Sequence, residues 1–70
     1  MAVKYDRLFH LLIDRKMTSA QLVEKAGVSA NIITRLKRNQ YLSLETIERL
    51  CYTLNCGVDE ILEFYSEVEE

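Results

Sequence analysis

"MTSAQLVEKAGVSANIITRLKRN", Met17 to Asn39, holds the signals for two short helices and the turn between them. Thr18-Ser19-Ala20-Gln21 fits a capping box, in which the threonine side chain accepts from the N3 amide and the glutamine reaches back to the cap amide. A helix is therefore expected from Ser19 to about Ala26, burying Leu22, Val23 and Ala26. Gly27 stands where a helix ends in a left-handed residue, a conformation that glycine takes without a Cβ penalty. Ser29 supplies an N-cap two residues later, so a further helix is expected over about Ala30 to Arg38. Asn39, which also tolerates left-handed geometry, closes it. Two short helices joined by Gly-Val-Ser must turn steeply against each other.

Outward from this stretch the pattern stays helical. Tyr5, Leu8, Phe9, Leu12 and Ile13 recur at i, i+3, i+4, i+7 and i+8, one stripe of an amphipathic helix over about residues 4–15. Ser43 caps a helix whose Leu44, Ile47, Leu50, Cys51 and Leu54 keep the same rhythm, and Asn55 ends it. A fifth helix is expected from about Val58 to Phe64 or Tyr65, burying Val58, Ile61 and Leu62, with Asp59 and Glu60 in the first turn where the helix dipole favours negative charge. No β-period alternation runs longer than four residues, and nothing repeats. The expectation is an all-α, five-helix single domain over residues 1–70. The tail 66–70 is read as frayed, with the run from Phe64 to Val68 able to extend and pair with a partner chain.

Seventy residues allow one core, because a chain this short buries only about 60% of its unfolded surface. Nearly half the residues are apolar, 29% are charged and there is no proline, which excludes disordered and fibrous classes. No stretch approaches the roughly 20 apolar residues of a membrane span, and nothing in Met1 to Arg15 suggests export. Cys51 and Cys56 match neither a metal knuckle nor a redox CxxC. Placed within one helix, that spacing puts them on different faces, as reduced thiols with Cys51 a core residue of a cytoplasmic protein.

The net charge of −2 hides a dipolar molecule. Residues 1–38 carry eight bases and three acids, a net of +5, whereas residues 39–70 carry one base, Arg49, and eight acids, a net of −7. From Lys25 to Leu44 there is no carboxylate at all. Such asymmetry points to one face made for a polyanion and another kept away from it.

On a wheel of about 100° per residue, Ile33 and Leu36 of the 30–38 helix fall on the buried side. Asn31, Thr34, Arg35 and Arg38 fall within about 100° of one another on the other side. Arginine can donate two parallel hydrogen bonds to guanine O6 and N7, asparagine can pair both ways with adenine N6 and N7, and threonine can serve a base edge or a thymine methyl. A carboxylate among them would repel the phosphates of a duplex, so the missing acids have their reason if this helix enters DNA.

The run from Met17 to Leu62 resembles the helix-turn-helix domain of phage repressors and Cro proteins, used by small bacterial transcriptional regulators of the XRE type. The likeness covers about residues 4–65 and rests on Met17-Thr18, Leu22, Ala26-Gly27-Val28-Ser29, Ile33, Leu36, Ser43-Leu44-Glu45-Thr46, Leu50, Leu54-Asn55 and Asp59-Glu60-Ile61-Leu62. The resemblance implies a lambda-repressor-like fold with the helix-turn-helix at about residues 18–38 and the second of its helices in the major groove. The family's base-contacting positions fall on Ala30, Asn31, Thr34 and Arg35, and Ile32 at the edge of the strip can meet a thymine methyl. Phosphate contacts are implied for Ser19, for the amides around Arg38 and Asn39, and for Gln40 and Tyr41; Ser29, Lys37 and Arg38 complete the surface.

Three positions depart from the family pattern. Ser19 replaces a longer glutamine, Ala30 is too short to bond a base, and Leu12 with Lys37 replaces an arginine–glutamate pair, which frees Lys37.

The expected function is a sequence-specific DNA-binding regulator, a repressor by type, acting as a weak homodimer on a palindromic operator through its carboxyl-terminal helix and tail. The alternative is a protein-docking or antitoxin-like module on the same scaffold. Catalysis is not expected, since there is one histidine, His10, no paired carboxylates in a cleft, no glycine-rich phosphate loop and no metal-ligand spacing. Neither a cofactor nor a small-molecule ligand is expected.

Overall fold

Four α-helices end in the same way. The computed structural model describes residues 2–66, and within them α1 spans Asp6–Asp14, α2 Ser19–Ala26, α3 Asn31–Lys37 and α4 Leu44–Leu54. Each is followed by one left-handed residue: Lys16 at φ 55°, Gly27 at 69°, Asn39 at 55° and Asn55 at 52°. The next amide then folds back onto a carbonyl five residues earlier. Met17 bonds Leu12 at 2.9 Å, Val28 bonds Val23 at 3.3 Å, Gln40 bonds Arg35 at 3.0 Å and Cys56 bonds Cys51 at 3.0 Å. These closures satisfy carbonyls that a helix end otherwise leaves unpaired. Glycine and asparagine announce three of the four in the sequence; Lys16 does not.

Helix starts follow the side-chain signals. Thr18 Oγ1 accepts from Gln21 N at 3.1 Å while Thr18 N donates to Gln21 Oε1 at 2.9 Å, the full capping box. Ser43 Oγ accepts from Thr46 N at 3.2 Å. Ser29 Oγ accepts from Asn31 N at 3.2 Å, so α3 is capped from two residues ahead of its first helical residue.

The carboxyl end departs from the five-helix expectation. In place of a helix from Val58 there is one 3-10 turn, Val58–Glu60, and then a strand, β2, Glu63–Tyr65. That strand pairs antiparallel with β1, Ala2–Lys4, in the register Ala2↔Tyr65, Val3↔Phe64 and Lys4↔Glu63. A helix of seven residues is marginal by itself, and Phe-Tyr suits a pleated surface, so the extended form prevails once a partner strand is within reach. The partner is the chain's own amino terminus. For the same reason α1 begins at Asp6, later than its apolar stripe suggests. Lys4 Nζ and Arg7 Nε each stand 3.7 Å from Glu63 Oε1, and the Lys4 ammonium lies 5.6 Å from the Tyr65 ring centre. Exposed pairs of this kind contribute little each, about 0–1 kcal/mol.

One core joins all of these elements. Leu8 and Leu12 of α1, Leu22 and Ala26 of α2, Leu36 of α3, and Ile47, Leu50 and Leu54 of α4 are buried together with Val3, Tyr5 and Ile61. Four residues assigned to the core lie outside it: Val23 is half-buried and stands apart from the cluster, and Ile13 is 72% exposed, Leu44 84% and Val58 49%. Ile13 and Leu44 sit at or next to a helix end, where the stripe runs past the neighbour it should cover, and Val58 opens the 3-10 turn instead of a helix. Residues 67–70 of the tail expected to be frayed, Val68 among them, lie outside the described residues.

Candidate nucleic-acid interface

The angle between α2 and α3 is set by residues that bond only within their own neighbourhood. Gly27 holds its left-handed conformation with Gly27 N bonded to Val23 O at 3.0 Å, and Arg49 of α4 reaches over the turn. A Cβ on Gly27 would stand 3.6 Å from Arg49 Nη1, ordinary contact, so the demand for glycine comes from the backbone and not from crowding. Val28 packs on the core just after the turn, and Leu36, 1% exposed, anchors the far end of α3.

With Leu36 inward, the opposite side of α3 is open. Asn31, Thr34, Arg35 and Arg38 are all exposed, as are Ser29 and Ala30 ahead of the helix and Lys37 and Gln40 at its end. Among the described residues the ion pairs all converge on Glu63, so the cations Lys25, Arg35, Lys37 and Arg38 stand without a carboxylate partner. The surface is polar, positive and unneutralised. It offers the donors that a phosphate backbone and base edges accept.

The sequence pattern of the Cro/C1-type HTH DNA-binding domain matches residues 7–67. The chain belongs to this family. The crystal structure of the transcriptional regulator VanUg is similar at a TM-score of 0.84 and 39% identity, over 89% of this chain and 83% of that chain. No curated protein matches it closely enough to count as a relative.

Within the family frame several assignments change. The amides of Arg38, Asn39 and Gln40, read from the sequence as donors to phosphate, are already spent on Thr34 O at 3.1 Å, Leu36 O at 3.2 Å and Arg35 O at 3.0 Å. A left-handed helix ending consumes those N–H groups. What this end offers a phosphate is side chains: those of Lys37, Arg38, Gln40 and Tyr41 are exposed. The first turn of α2 is the reverse case: its capping box takes the Thr18 and Gln21 amides, and the Ser19 and Ala20 amides have no partner among the described residues. Ser19 itself is half-buried. Ile32, expected at the edge of the strip, packs partly against the core instead.

Leu12, where the family often has an arginine, is buried at 4% exposed, whereas Lys37 is exposed. A leucine and a lysine at these positions are each in the environment their chemistry favours. His10 is exposed.

One residue that positions the site carried no functional weight in the sequence. Tyr5, 1% exposed, donates its hydroxyl to the Gln40 carbonyl at 2.6 Å, tying the amino-terminal segment to the loop after α3. Burial first, and then the neighbouring Tyr41, push the Tyr5 phenol above its usual range, so it stays a donor. The available signal was a tyrosine at a core position where phenylalanine would fill the same space: a buried phenol needs a partner.

Proposed function

We propose that this protein is a sequence-specific DNA-binding transcriptional regulator, repressing by occupancy, that inserts α3 into the major groove. It acts without catalysis. The observation that supports this most is the exposed α3 strip of Asn31, Thr34, Arg35 and Arg38, which has base-reading side chains and no acid beside it. Ala30 brings a methyl and no hydrogen bond, so reading falls to Asn31, Thr34 and Arg35, with Ile32 adding apolar contact from its exposed edge. Ser19, the free amides beside it, Ser29, Lys37, Arg38 and Gln40 contact phosphate on either side.

One such unit reads about half a site, and useful specificity needs roughly 10³–10⁷-fold preference over random DNA. We therefore place two copies on a palindromic operator, with half-sites about 34–36 Å apart. Without a fifth helix the pairing surface moves to the carboxyl-terminal segment as it is folded, where Phe64 is 59% and Val58 49% exposed, next to Leu44 at 84%. Selection from a random DNA pool tests the reading. It should enrich a two-fold symmetric motif whose binding weakens with salt at a slope of about −0.9 per phosphate contact. Failure to enrich any motif, with salt-insensitive capture of a protein, would favour a docking module instead.

A further inference from the structure

Cys51 and Cys56 are the two cysteines of the chain, both free and both half-buried. Their spacing suggests different faces of a helix, but α4 stops at Leu54 and left-handed Asn55 turns the chain back. Cys56 N then bonds Cys51 O at 3.0 Å. In such an ending the residue after the left-handed one lies against the residue whose carbonyl it bonds, side chain to side chain. Here the two residues so placed are both cysteines, which sets thiol beside thiol. Both sulfurs line one open groove with Glu48, Tyr52 and Asn55, so a small reagent reaches them from solvent.

Two chemistries use a pair of adjacent thiols. A structural zinc site needs four ligands, and no group of three or more His, Cys, Asp or Glu side chains is gathered among the described residues. Oxidation needs only the two sulfurs. We propose that Cys51 and Cys56 close into a reversible intramolecular disulfide across the cap of α4, a modification site for low-molecular-weight disulfides.

The reaction runs in two exchanges. One cysteine thiolate attacks a sulfur of the small disulfide, forming a mixed disulfide and releasing one small thiol. The other cysteine thiolate then attacks the protein sulfur of that mixed disulfide, forming the Cys51–Cys56 bond and releasing the second small thiol. Two protein thiols are oxidised, and their two electrons and two protons leave on the two small thiols. Contact between the thiols makes the second exchange intramolecular, so the mixed disulfide does not accumulate. The charged groups around the pair are Glu48 on α4, Asp59 and Glu60 on the 3-10 turn, and Arg15 after α1, whose guanidinium donates to the Leu54 carbonyl.

The proposal stands apart from the DNA reading. Reduced full-length protein is incubated with oxidised glutathione at mildly alkaline pH, and intact mass and a non-reducing peptide map are recorded. The expected product is a monomer two hydrogens lighter than the starting protein, with Cys51 linked to Cys56, restored by dithiothreitol. The Cys51→Ser and Cys56→Ser variants, checked by circular dichroism for retained helix, should each stop at a glutathione adduct. Wild-type protein that keeps glutathione adducts, stays reduced, or links chain to chain would overturn it.

Discussion

The turn between α2 and α3 and the segment after α4 both leave a helix through a left-handed residue, Gly27 in one and Asn55 in the other. They differ in what holds the chain that follows. After Gly27 the next helix is capped by Ser29, two residues on. After Asn55 the chain makes a single 3-10 turn and becomes a strand whose partner, Val3 opposite Phe64, lies at the other end of the sequence. Local bonds leave local signatures. A strand paired with a distant segment leaves none, and its residues look like whatever their own spacing suggests.

The two regions nevertheless share one core, and that can be broken first. Leu36→Ala, under α3, and Ile61→Ala, after the 3-10 turn, both remove a fully buried side chain and should each cost about 2–5 kcal/mol. Each should shift a single melting transition recorded by circular dichroism. If Ile61→Ala gave a separate low-temperature phase while the helix-turn-helix melted as in wild type, the carboxyl segment would be an appendage and not part of the core.

Gly27→Val sharpens the local side of the contrast. A β-branched residue at φ 69° costs roughly 1–2 kcal/mol, with no help from space, since the Cβ site is not crowded. An unchanged melting midpoint would mean that the turn tolerates another backbone conformation. Tyr5→Phe tests a long-range bond that reaches the site. Losing the hydroxyl that meets the Gln40 carbonyl should cost about 0.5–1.5 kcal/mol and weaken DNA binding by loosening the loop after α3. A loss of stability with unchanged binding would show that the loop contributes nothing to the contact.

The smallest effect concerns the ends of α4. Burial, the largest cause, raises both cysteine thiols above their ordinary range. The folded protein therefore holds these protons more tightly than the unfolded chain. Alkylation by iodoacetamide should be slower than in urea at about pH 8 and should keep accelerating above the ordinary thiol range near 8.5. The same linkage takes a little stability away as pH rises through that range. Equal rates folded and unfolded would contradict the burial.

What the sequence disclosed follows the same division. The boundaries of α2 and the exposed side of α3 were legible because Thr18, Gln21, Gly27, Ser29 and Leu36 each act within a turn of themselves. Lys16 was not, since a lysine held left-handed accompanies the backbone bond from Met17 N to Leu12 O across it and does not follow from its own preference. The thiol contact was hidden for a related reason: a helical wheel assumes that the helix continues, and Asn55 had already ended it. The Arg38 and Asn39 amides were misjudged because the ending that Asn39 signals also consumes those N–H groups.

The central claim is that α3 reads base edges through Arg35, and binding of Arg35→Ala measures it most directly. Affinity is titrated on the selected operator, on operators changed at single base pairs, and on unrelated duplex at one salt concentration. The account expects a loss of about 1–3 kcal/mol on the operator, relaxed preference at one base pair per half-site, and a much smaller change on unrelated DNA. Equal weakening on every duplex would make Arg35 a phosphate clamp and contradict the base-reading role of α3.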